Sequence, residues 1–173
     1  MRLSRTLRLS VLFALFGTLM FLSDLLMEAL PNVHLVGALI VSLSRVYRAK
    51  ALIPLYVYVC LTGLFYGFGL WWIPYLYVWL PLWGAAMLVP KNLSDRKARF
   101  VLPLVAAAHG LLFGVLYAPA QAILFGMSFE RMLLWVGAGL YFDLIHAAGN
   151  LVLGTLVVPL SRLLQRLEDK ASI

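Results

Sequence analysis

Cysteine occurs once in this chain, at Cys60, so no internal disulfide can staple the fold and a packed thiol is the default reading. Charge is nearly as scarce. Only 12% of the residues are charged, about half of the roughly 25% usual in soluble domains. Low-complexity tracts, polar linkers and obvious internal repeats are missing, which excludes a linker-joined soluble domain and a solenoid. Also missing are the short motifs that announce chemistry: no G-x-S-x-G, no H-E-x-x-H, no paired intramembrane glutamates and no glycine-rich phosphate loop. What fills the chain instead is apolar: 64% of its 173 residues are hydrophobic. No soluble core of this length could hide so much apolar surface, so the bilayer must. The sequence reads as an all-α integral membrane protein in a single transmembrane domain.

A helix needs about 20 residues to cross the hydrocarbon core. Apolar runs and the punctuation between them predict six spans, at about 7–30, 33–46, 51–68, 71–89, 100–118 and 137–164. The first stops at Pro31-Asn32, the second is short, and Pro74 and Pro81 are expected to bend the fourth. The fifth is expected to end before Pro119, and Pro159 marks where the last helix leaves the membrane.

Charge placement favours six spans over five. With the N- and C-termini cytoplasmic, the internal segments hold Arg2, Arg5 and Arg8; Arg45, Arg48 and Lys50; Lys91, Arg96, Lys97 and Arg99; and Arg162, Arg166 and Lys170. Of the fourteen Lys and Arg residues only Arg131 is left outside, as the positive-inside rule demands. The net charge of +7 is therefore an orientation signal facing lipid headgroups, and nucleic acid is not an expected partner. Arg2, Arg5 and Arg8 before an apolar run resemble a signal peptide, but no small-x-small cleavage site follows and the run is too long. A retained first helix is expected.

The remaining polar residues gather toward the outer end. In "LYFDLIHAAGN", Asp143, His146 and Asn150 fall at i, i+3 and i+7, on one stripe of the last helix. A carboxylate within hydrocarbon costs at least about 2.5 kcal/mol, so this stripe is either a packing seam or the wall of a pocket. Asp24 and Glu28 lie one turn apart toward the outer end of the first helix, followed by Asn32 and His34 in the first loop. "GLWWIPYLY" adds Trp71, Trp72, Tyr75 and Tyr77, and "YAPAQ" adds Tyr117 and Gln121. Belt residues account for isolated Trp and Tyr, and an interhelical hydrogen bond accounts for His109. Asp143, His146 and His109 could offer ligands to a metal, but nothing fixes their geometry and sulfur ligands are absent; neither metal nor cofactor is expected.

Small residues form a second pattern. Ser10, Ala14 and Thr18 repeat at four-residue spacing beside Gly17, and Gly110 and Gly114 make a similar pair. Such stripes let another helix approach closely, within the bundle or from a partner.

Six hydrophobic helices in under 180 residues, with both ends inside, resemble the substrate-binding S components of energy-coupling factor (ECF) vitamin transporters. The resemblance covers nearly the whole chain and is one of architecture. In that family, small residues at four-residue spacing on the first helix contact the coupling subunit; Ser10, Ala14 and Thr18 occupy that register, with Ser and Thr flanking one Ala in place of two alanines. The resemblance implies an outer-half pocket drawn from Asp24, Glu28, Asn32, His34, Trp72, Tyr75, Tyr117, Gln121, Asp143, His146 and Asn150. It further implies a vitamin-like small molecule as substrate, a coupling transmembrane subunit and two ATP-binding subunits as partners, and the multi-pass cell membrane of a prokaryote as location. Nickel or cobalt is disfavoured, because the metal-specific members need His directly after Met1, where Arg2 stands. On this reading the chain is not itself an enzyme. Two alternatives stay open: a small intramembrane enzyme using Asp143 with His146 or His109, and a passive assembly subunit.

Overall fold

The computed structural model describes residues 5–171, with side chains described as far as residue 169. Arg2 and the Lys170 side chain, both part of the predicted basic clusters, lie outside that description. The regular structure of the described chain is all helical, with no strand: α1 Arg5–Leu26, α2 Val36–Tyr47, α3 Leu52–Tyr66, α4 Leu80–Leu88, α5 Asp95–Leu124, α6 Phe129–Leu153 and α7 Val157–Ala171. Three 3-10 segments join them, at Arg48–Ala51, Leu70–Leu76 and Gly154–Leu156. Four helical runs are long and apolar enough to cross a membrane: Arg5–Leu26, Val36–Tyr66, Asp95–Leu124 and Phe129–Asp169.

The short α2 is the centre of the bundle. Every residue from Val36 to Ser44 is buried, the signature of a helix that is hydrophobic all round and meets protein on each face. Its two interior serines return their hydroxyls to the helix itself, Ser42 to the Ala38 carbonyl and Ser44 to the Ile40 carbonyl, both at 2.6 Å. Neither α2 hydroxyl is therefore left bare. Arg48, with φ of 56°, ends α2, and α3 then runs beside α1 in the same direction. Gly17 marks their closest approach, since a Cβ there would lie 2.5 Å from Val57 Cβ.

Ion pairs gather one end of the bundle. Asp95, opening α5, accepts from Arg45 on α2 at 2.7 Å and from Arg162 on α7 at 2.6 Å. Arg48 donates to the Met87 carbonyl at the end of α4, and Arg5 pairs with Glu168 on α7, each at 2.5 Å. At the other end the aromatic residues of the 3-10 segment Leu70–Leu76 meet α3 and α5.

Several boundaries differ from the sequence reading, each for a local reason. The predicted span at 71–89 is a 3-10 segment followed by a nine-residue helix, with Pro74 inside the first and Pro81 at the start of the second. Pro at a first helical position costs no backbone bond, so Pro81 restarts the helix and does not merely bend it. α5 passes through both Pro103 and Pro119 to reach 30 residues. Each proline removes one intrahelical bond, a loss that neighbouring groups make tolerable in membrane helices. α6 begins at Phe129, well before Gly137, because Ser128 caps it by accepting from the Arg131 N–H at 3.3 Å. Pro159 lies in the first turn of α7, which continues to Ala171.

Candidate functional site

A cavity of about 480 Å³ opens at the end opposite the ion pairs. Its walls come from four places in the chain. α1 supplies Asp24, the loop after it Glu28, Asn32 and His34, α3 Thr62 and Tyr66, and the 3-10 segment Trp71 and Tyr75. Met27, Leu30 and Val33 complete the apolar part of the loop wall. The loop can bend back over the cavity because Asn32 adopts the left-handed region, φ 58°, which Asn tolerates better than most residues. Its side chain donates to the Phe142 carbonyl on α6 at 3.2 Å and ties the loop down.

Asp24 is held from below. The hydroxyl of Tyr58, a residue with no solvent exposure, donates to Asp24 Oδ2 at 2.9 Å. His34, 8% exposed, lines the cavity and stands edge-on to Trp79 and to His146, with ring centroids 5.9 and 5.2 Å apart. Burial pushes the His34 imidazole below its ordinary range, against the opposing pull of the Asp24 carboxylate. A neutral ring keeps an acceptor nitrogen, and its Nδ1 has no protein partner. The aromatic wall is built from perpendicular rings, Tyr66 to Trp71 at 6.3 Å and Trp71 to Tyr75 at 5.6 Å. Tyr117 braces this wall from behind, its hydroxyl donating to the Trp71 carbonyl.

Of the residues singled out from sequence, Asp24, Glu28, Asn32, His34 and Tyr75 come together around this cavity. Trp72 turns inward and donates its indole N–H to the Val59 carbonyl at 2.8 Å. Gln121 lies one turn beyond Tyr117, its Oε1 buried without a protein partner. Thr62, Tyr66 and Tyr58 escaped sequence reasoning. The available signal was their own four-residue spacing on α3, Tyr58-Thr62-Tyr66, a polar edge on an otherwise apolar helix.

The stripe on α6 takes a different place. Asp143 accepts the Gly114 N–H with both carboxylate oxygens, each at 3.1 Å. One and two turns on, His146 is 1% exposed with neither ring nitrogen partnered, and Asn150 donates to the Ala106 carbonyl at 3.0 Å. α5 admits these side chains through a line of mostly small buried residues: Ala98, Leu102, Ala106, Gly110, Gly114 and Ala118. A Cβ on Gly114 would sit 2.5 Å from Asp143 Oδ2, and one on Gly110 2.9 Å from the Ala147 nitrogen. A close-packed seam between α5 and α6 is thus built on this polar stripe. His109, also on α5, donates from Nε2 to the Val78 carbonyl at 2.8 Å and faces Trp79 at 5.5 Å.

Ser10 and Ala14 border a separate groove of about 330 Å³ between α1 and α3, with Ile53, Val57 and Lys50 on its far side. Thr18 is exposed on the same stripe and returns its hydroxyl to the Ala14 carbonyl at 2.9 Å. Among the described residues, no three or more His, Cys, Asp or Glu side chains are grouped to hold a metal ion. No protein-family model, curated protein or solved structure matches the chain.

Proposed function

We propose that this chain is the membrane-embedded substrate-binding subunit of an ECF-type importer for a vitamin or related micronutrient. The observation that carries the reading is the cavity, large enough for a small organic molecule, lined by polar and aromatic side chains at the end away from the ion-paired cations. Six membrane passes, with both termini cytoplasmic in a prokaryotic cell membrane, fit the placement of Arg45, Arg48, Asp95 and Arg162 at one end. The meeting of these charged side chains at one end supports that topology. The exposed stripe of Ser10, Ala14 and Thr18 is the docking face for a coupling subunit carrying two ATP-binding subunits. Its small side chains suit close helix approach.

An enzyme built on Asp143 with His146 or His109 has less support, because both Asp143 oxygens are turned to the Gly114 N–H. The test is gentle purification of the tagged chain from its native host. Mass spectrometry of what is retained should find one small molecule, together with an ATPase pair and a coupling subunit; a preparation lacking both classes contradicts the reading.

A further inference from the structure

We propose that the cavity takes an organic cation with a flat aromatic or heterocyclic ring, its positive charge facing Asp24 and Glu28 and its ring lying against Tyr66, Trp71 and Tyr75. The proposal deepens the reading of the chain as a nutrient-binding subunit and rests on it.

Charge is the first argument. The cavity wall contains two carboxylates and no Lys or Arg, in a protein of net charge +7. Among the described residues, none of the ion pairs reaches Asp24 or Glu28. An anionic ligand would meet two like charges in a partly desolvated site, a juxtaposition that disfavours binding. A cation removes that repulsion. Tyr58 adds to this by fixing one oxygen of Asp24 from the protein side, which holds the carboxylate at the cavity wall.

Shape supplies the second argument. Tyr66, Trp71 and Tyr75 meet at interplanar angles of 86° and 84°, so together they offer a cornered surface to a flat ring. Aromatic faces also attract cations, more strongly as the site is desolvated. The third argument is His34. It lines the cavity, is more than nine-tenths buried, and its Nδ1 has no protein partner. A buried polar atom of this kind calls for a ligand group or water. Thr62 and Asn32 add neutral polar groups around the same space.

The experiment uses the full chain in lipid nanodiscs and equilibrium dialysis, with empty nanodiscs subtracted for partitioning. Three probes share one bicyclic frame: the cation 1-methylquinolinium, the neutral 2-methylquinoline and the anion quinoline-2-carboxylate. The cation should bind at least about tenfold more tightly than either relative, and Glu28→Gln and Asp24→Asn should each weaken it by about tenfold or more. Glu28 is exposed, so its variant is expected to keep the fold even if the Asp24 variant does not. Thermal unfolding checks both. Equal or better binding of the neutral or anionic probe, no cation binding up to about 1 mM, or full cation binding by a folded Glu28→Gln variant overturns the proposal. Recovery of the ATPase pair and coupling subunit with the chain reads the importer assignment separately. Cation selectivity can fail while that assembly persists, and the reverse.

Discussion

The carboxylate of Asp143 straddles the backbone N–H of Gly114, 3.1 Å from each oxygen. This contact joins α6 to α5 at a close approach, where a Cβ at Gly114 would lie 2.5 Å from Oδ2 and push the carboxylate off the Gly114 N–H. A carboxylate in an apolar setting must find a donor, and here the donor is the neighbouring main chain. Three turns of α6 repeat the logic: Asp143 against Gly114, the backbone of His146 and Ala147 against Gly110, and Asn150 against Ala106.

Gly114→Ala should therefore destabilise the protein by about 1–3 kcal/mol, the usual cost of forcing extra volume into a packed site. Thermal unfolding in detergent measures it. Gly137→Ala, at an α6 position with nothing within 4 Å of the added Cβ, should leave the midpoint unchanged or raise it slightly. Equal effects from the two would contradict the seam.

Asn150→Leu should cost a further measurable share of stability. The amide is 2% exposed, donates to the Ala106 carbonyl, and lies beneath Gly37 of α2, where a Cβ would be 2.7 Å from its Oδ1. A branched apolar side chain loses that bond, worth about 1 kcal/mol net, and crowds the site where α2, α5 and α6 meet. Asn150→Ala should lose the bond without the crowding, so its unfolding midpoint should lie between wild type and Asn150→Leu.

Asp95 holds two arginines unequally. The Arg45 side chain is 12% exposed and the Arg162 side chain 50%. Removing an exposed partner costs about 0–1 kcal/mol, whereas stranding a buried charge costs more. Asp95→Ala should lower the unfolding midpoint clearly, and Arg162→Ala only slightly. Raising the salt concentration should blunt the Arg162 effect first.

Much of this was legible in the primary structure, and the limits have physical reasons. Hydropathy alone announces an all-helical chain with runs long enough to cross a membrane, four where six spans are expected. The cluster of Asp24, Glu28, Asn32, His34 and Tyr75 at one end is foreshadowed by their shared placement in the sequence. Periodicity on α6 shows that Asp143, His146 and Asn150 share a face but not what that face meets. The answer was written on α5, in the four-residue spacing from Ala98 to Ala118, of which only Gly110 and Gly114 stand out by residue type. Pairing α3 with α1 needs long-range contacts, so Tyr58 beneath Asp24 could not be found from either helix alone. α5 runs past Pro119 and α6 starts at Phe129, beyond what sequence signals show, because proline tolerance depends on neighbours and Ser128 is an inconspicuous cap.

Ala14→Leu should separate assembly from ligand binding. The change adds bulk to the groove between α1 and α3, roughly 15 Å along the helix from Asp24 at about 1.5 Å per residue. Recovery of the coupling subunit should fall at least about tenfold, while the retained small molecule stays. Loss of both at once would point to misfolding and remove support for a separate docking face.

The most direct test of the central claim is affinity purification of the full chain from its native host in mild detergent, followed by protein identification and an ATP hydrolysis assay of the eluate. A defined complex is expected, in which the chain travels with one coupling subunit and a pair of ATP-binding subunits and hydrolysis is present. Recovery of the chain alone, folded by thermal unfolding but without those subunits or any ATP hydrolysis, would contradict it.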